Sequence, residues 1–140
     1  MWLKVKNQDE LQEGDIIELG TEYPLLLHYA VVVIENDERK CAHYPYPSRP
    51  CIEKLDYVIN NRPDCEIRRV IRTGVKSEEI INKHKEIEND FKDNFSDWLL
   101  RNNCEDYIRK VTGSSIGTDQ RIYALLVLII IILIVIVIFK

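Results

Sequence analysis

Short apolar runs with strand-like composition fill the first half of the chain, and a helical period takes over in the second. Asp15–Leu19 (DIIEL) follows Glu13-Gly14 and reads as a strand leaving a turn. Leu25–Ile34 (LLLHYAVVVI), rich in β-branched residues, predicts a longer strand. The polar ENDE (Glu35–Glu38) turns the chain, and RKCAHY (Arg39–Tyr44) returns it as the second arm of a hairpin. The proline-rich PYPSRP (Pro45–Pro50) cannot continue a central strand. Leu55–Ile59 and Cys65–Arg72 predict two further strands, separated by NNRPD. From Ser77 the apolar positions Ile80, Ile81, His84, Ile87 and Phe91 fall on one stripe, which predicts a helix capped by Ser77 and running to Phe95. Glu78 and Glu79 suit its first turn, and Trp98, Leu99 and Leu100 read as core. A second helix covers Cys104–Val111 and stops at Gly113, a residue type that commonly ends helices. Thr112–Gln120 (TGSSIGTDQ) reads as a flexible link.

Beyond that link the polar residues vanish. Ile122–Phe139 (IYALLVLIIIILIVIVIF) carries no charge, Gly or Pro, flanked by Arg121 and closed by Lys140. As a helix rising about 1.5 Å per residue the run spans ~27 Å, close to a bilayer's hydrocarbon thickness. The N-terminal MWLKVKNQDE has no signal-peptide apolar core. The pattern therefore predicts a C-terminal transmembrane anchor over 122–139, with the preceding domain facing the cytosol. Residues 1–113 form the expected folded domain and 114–121 the linker.

Charge and cysteine content narrow the chemistry. The 140-residue chain carries a net charge of −4, more negative still once Arg121 and Lys140 are set aside, which argues against nucleic acid as a partner. Its four cysteines, Cys41, Cys51, Cys65 and Cys104, form no C-x-x-C pair, so they read as free thiols. Cys41, His43 and Cys51 fit no usual zinc spacing. Neither a metal nor a cofactor is expected. GSSIG (Gly113–Gly117) matches G-x-S-x-G but follows a helix and enters a linker, the wrong context for a nucleophile elbow.

One cysteine is placed for chemistry. With Asn103 as N-cap and Asp106 reaching back in a capping box, Cys104 is the first helical residue. There the helix dipole and unpaired amides favour thiolate and can receive an oxyanion. Glu105 and Asp106 oppose this, so a base is needed. A turn centred on Asn36-Asp37 pairs His43 with Ala30 and places His28 diagonally on the same face. One imidazole then takes the thiol proton and the other orients the first, a Cys–His–His form of the triad.

Four stretches in order, EGDIIEL (Glu13–Leu19), HYAVVV (His28–Val33), AHYPYPS (Ala42–Ser48) and NNCEDYIRKVTG (Asn102–Gly113), resemble the motifs of the lecithin:retinol acyltransferase-like (LRAT-like) family. The chain is most similar to its HRAS-like-suppressor phospholipase A/acyltransferases, which carry a C-terminal apolar anchor and a stretch like TDQR (Thr118–Arg121). The resemblance spans about residues 10–121. It implies an α+β, permuted papain-like (NlpC-type) fold with an antiparallel sheet, Cys104 as nucleophile, His28 as general base and His43 as orienting residue. Three motif positions depart: Tyr29 stands where the family has Trp, and its NCEHF reads NCEDY here, with Asp106 and Tyr107 in the last two places.

The expected function is therefore that of a membrane-anchored thiol phospholipase A/acyltransferase. It acts on glycerophospholipids through a thioester on Cys104. Two alternatives keep the fold: a papain-like amidase or peptidase, and a non-catalytic membrane-tethered adaptor.

Overall fold

A computed structural model describes residues 2–3, 7–23, 26–45, 48–91, 103–116 and 120–139. Trp98, Leu99 and Leu100 lie outside the described residues, as does the expected helix beyond Phe91.

The architecture is α+β. Strands β1 (Trp2–Leu3), β2 (Asp15–Gly20), β3 (Leu27–Glu35), β4 (Glu38–His43), β5 (Cys51–Lys54) and β6 (Ile67–Arg72) form one sheet in the order β1-β6-β2-β3-β4-β5. Every neighbouring pair is antiparallel. Helix α1 (Leu55–Asn60) follows β5, α2 (Ser77–Ile87) follows β6, and α3 (Cys104–Thr112) and α4 (Gln120–Ile138) complete the order.

Because successive side chains of a strand point to opposite faces, the sheet supports two cores. Tyr29, Val31 and Val33 of β3 pack with Ile80 and Ile87 of α2 and with Cys104, Tyr107, Ile108 and Val111 of α3. Ala30 and Val32 face the other way, with Ile17, Leu19, Cys41 and the α1 residues Leu55, Val58 and Ile59. The folded body runs past Gly113, since Ile116 is buried in the first core.

The β3–β4 hairpin has the expected register, pairing Ala30 with His43 and Glu35 with Glu38. Asn36 and Asp37 both take positive φ, 52° and 60°, the left-handed pair that matches a two-residue turn to strand twist.

Elsewhere the sequence reading is corrected. Leu55–Ile59 is helical, not a strand: Leu55, Val58 and Ile59 are its buried residues, an i, i+3, i+4 stripe masked by β-branched composition. Strand β5, which sequence missed, occupies the four residues before it. Ser77 is the first helical residue rather than the cap. Its amide donates to Glu13 at 2.9 Å, and its hydroxyl accepts the Ile34 amide at 2.8 Å. The α-helix ends at Ile87, and a 3-10 turn carries on over Glu88–Asp90.

The transmembrane anchor is also corrected, and with it the tail-anchored, cytosol-facing localisation. Among the described residues no helix is long and apolar enough to cross a membrane. Phe139 falls in the turn after α4, which ends at Ile138. From Ile122 to Ile138 the helix rises only ~26 Å, against ~30 Å of hydrocarbon.

Candidate active site

The start of α3 is locally determined. Asn103 accepts the amide of Asp106 at 3.1 Å, and Asp106 accepts the amide of Asn103 at 3.1 Å, closing the capping box. Gly113 ends the helix at φ 68°, its amide returning to the Arg109 carbonyl at 2.8 Å. Cys104 is thereby fixed as the first helical residue and is buried.

Helix α3 packs on one face of the sheet, whereas His28 and His43 share the opposite face with Ala30. The two sides meet beyond the last β3–β4 pair, Ala30 with His43. There the Cys104 thiol donates to the Leu27 carbonyl at 3.7 Å, and the Tyr29 amide also reaches the sulfur. Cys104 and His28 line one pocket of about 560 Å³ with Tyr23, Leu27, Tyr44 and Arg62.

The histidines form a relay. His28 Nε2 lies 2.9 Å from His43 Nδ1, and His43 Nε2 lies 2.7 Å from Glu53 Oε2. An ionised carboxylate only accepts, so His43 carries its proton on Nε2. His43 Nδ1 then accepts from His28 Nε2–H, which leaves the lone pair of His28 on Nδ1, as a general base requires. Glu53 thus sets the tautomers of both rings.

Electrostatics leave both groups neutral at rest, and both shifts oppose moving the proton from sulfur to imidazole. Burial is the main cause that holds His28 well below the usual histidine range, with the charges of His43 and Arg62 adding to it. His43 is lowered by burial as well, against the Glu53 hydrogen bond that raises it. Burial pushes the Cys104 thiol up to about 12, over the opposing pull of the Tyr29 amide and the helix-start amides. The resting pair is therefore thiol and neutral imidazole, not an ion pair.

Of the residues singled out from sequence, His28 and His43 are in direct contact. Cys104 joins His28 at the pocket, with its proton on a backbone carbonyl and not on a ring. Glu53 and Arg62 were missed, and Cys51 was weighed only as part of a zinc spacing that did not fit. Glu53 had a signal: on a strand pairing Cys51 with His43, the residue two further along faces His43 diagonally. Arg62 sat unnoticed in the NNRPD connector. It is half-buried, lowered by desolvation and drawn the other way by Cys104 and Glu53.

The departures from the family motifs all have partners inside the molecule. Tyr29 donates its hydroxyl to Glu18 at 3.2 Å, Asp106 completes the capping box, and the Tyr107 hydroxyl meets His84 Nδ1 at 2.7 Å. No family model, curated protein or solved structure matches the chain.

Proposed function

We propose that the protein is a thiol acyltransferase or phospholipase of the A type, with glycerophospholipid esters as substrate. The observation that carries this reading is the opening of the Cys104 sulfur and the Glu53-polarised His43–His28 relay onto one pocket. His28 Nδ1 takes the thiol proton as sulfur attacks the ester carbonyl. The tetrahedral oxyanion forms beside the amides at the start of α3. Collapse breaks the ester C–O bond, and the leaving lysophospholipid alkoxide takes the proton back from His28. A thioester remains on Cys104. Water releases a fatty acid, and an amine or hydroxyl acceptor gives acyl transfer. Tyr23, Leu26, Leu27 and Tyr44 supply an apolar wall for an acyl chain, and Arg62 supplies a cation for the phosphodiester.

One observation favours a second reading, a non-catalytic adaptor that keeps the fold. The Cys104 proton is committed to the Leu27 carbonyl, an arrangement that holds the helix to the strand without any turnover.

The deciding experiment incubates the full chain with a glycerophospholipid dispersed in detergent and measures intact mass. The acyltransferase reading expects a fatty-acyl adduct in the wild type, none in Cys104→Ser and none in His28→Ala. Cleavage of peptide amides without a lipid adduct would replace it with the amidase reading. No adduct and no cleavage by folded protein would leave the adaptor.

A further inference from the structure

The relay ends beside a side chain that its catalytic role does not use, Cys51. Cys51 pairs with His43 across β4 and β5, and its Sγ lies 3.5 Å from His43 Nε2. Glu53, two residues on, reaches the same nitrogen at 2.7 Å. The three donor atoms of His43, Cys51 and Glu53 all lie within 4.8 Å of one another. Tetrahedral zinc, with bonds of ~2.0–2.3 Å, separates its ligand atoms by roughly 3.3–3.8 Å. The Cys51–His43 distance already has that value, and the histidine–carboxylate pair needs to open by less than about 1 Å. Glu53 has 36% of its side chain exposed, so it can move that far and solvent can reach the site. Adjacent antiparallel strands hold the set rigidly.

We infer that His43, Cys51 and Glu53 form a binding site for a borderline-soft divalent cation of the zinc type, and that its occupancy switches off the neighbouring base. Imidazole, thiolate and carboxylate are the ligand types zinc takes, with water completing the fourth position. The set differs from the one considered from sequence, because Cys41 points into the second core and Glu53 takes its place. On binding, the Cys51 thiol releases its proton to solvent. The metal needs the lone pair of His43 Nε2, so the proton of that ring moves to Nδ1 and donates to His28 Nε2. This is the usual anchoring of a metal-bound histidine through its other nitrogen. His28 must then carry its own proton on Nδ1. With its lone pair turned away from the pocket, it cannot accept from Cys104. No proton is gained or lost by the two rings; both tautomers invert.

The switching half of this inference rests on His28 being the base; the binding half does not. The test titrates the full-length protein with zinc alone, by calorimetry, and with cobalt(II), by absorption. A 1:1 site with a cobalt–thiolate charge-transfer band is expected. In Cys51→Ser the band disappears and zinc affinity falls at least tenfold, while Cys104→Ala keeps both. Nitrogen-15 NMR of zinc-loaded protein should show His28 protonated on Nδ1 and His43 metallated on Nε2. Unaltered affinity in both Cys51→Ser and Glu53→Gln overturns the site, as does loss of the band in Cys104→Ala. Binding at the expected ligands with His28 still protonated on Nε2 overturns the switch alone. Absence of lipid turnover affects none of these readouts, so the two proposals fail separately.

Discussion

At the scale of single residues, the buried imidazole of His28 makes the sharpest prediction. A base must be neutral, and a histidine of ordinary pKa ~6.5 would lose about three quarters of its neutral form by pH 6. His28 is held well below that range, chiefly by burial, so it stays neutral there. The acid limb of kcat/KM for acyl transfer should therefore lie below the usual histidine range, with activity at pH 6 equal to that at neutral pH. An inflection at 6.5 or above would mean that another group, or a solvated His28, is the base. The position of Cys104 at a helix start and of both rings on one sheet face was legible in the sequence because each stands beside a strong local signal, a helix cap in one case and a two-residue turn in the other. Glu53 went unread because its signal depends on the pairing of a four-residue strand after the prolines, and that strand was itself missed. Arg62 was hidden for a related reason: only tertiary packing brings a connector to the pocket.

Among the elements, those with covalently local causes matched their sequence signals. The hairpin register, the α3 capping box and the Gly113 stop are each set by residues within a few positions of one another. The failures involve distant partners or a misread period. Leu55–Ile59 took its form from a helical stripe of three buried residues. The start of α2 is capped by Glu13, which receives the Ser77 amide and the Lys76 ammonium, both at 2.9 Å. Those two bonds hold the Glu13 carboxyl down at about 2, well below the ordinary carboxylate range. The depressed value favours the folded state above the unfolded pKa, and that contribution fades as pH falls from about 4.5 toward about 2. In Glu13→Gln the thermal midpoint should lie below that of wild type at neutral pH, the two curves converging as pH approaches that lower value. A constant gap across this window would show that the carboxylate charge is not what caps α2.

For the whole molecule, the relevant division is between a body with two cores and a helix whose described side chains join neither. Ile116 is the last described residue of the first core. From Ile122 to Phe139 every large apolar side chain is exposed, between 42% for Val127 and 84% for Phe139. Apolar area stabilises a fold only when it leaves water, so α4 contributes nothing to the stability of the body. A contiguous exposed apolar surface of this kind instead promotes association. Deleting residues 117–140 should leave the thermal midpoint within ~2 °C of the full chain, as for changes at exposed positions generally. In sedimentation the full chain should self-associate with rising concentration and the truncated one should not, and adduct formation on Cys104 with a detergent-dispersed lipid should be unchanged. The site explains the last expectation: the pocket is lined by residues between Thr21 and Cys104, and its relay lies on strands at the centre and edge of the sheet. A midpoint lowered by ~10 °C would mean that α4 docks on the body, and the separation of the helix from the two cores would have to be abandoned.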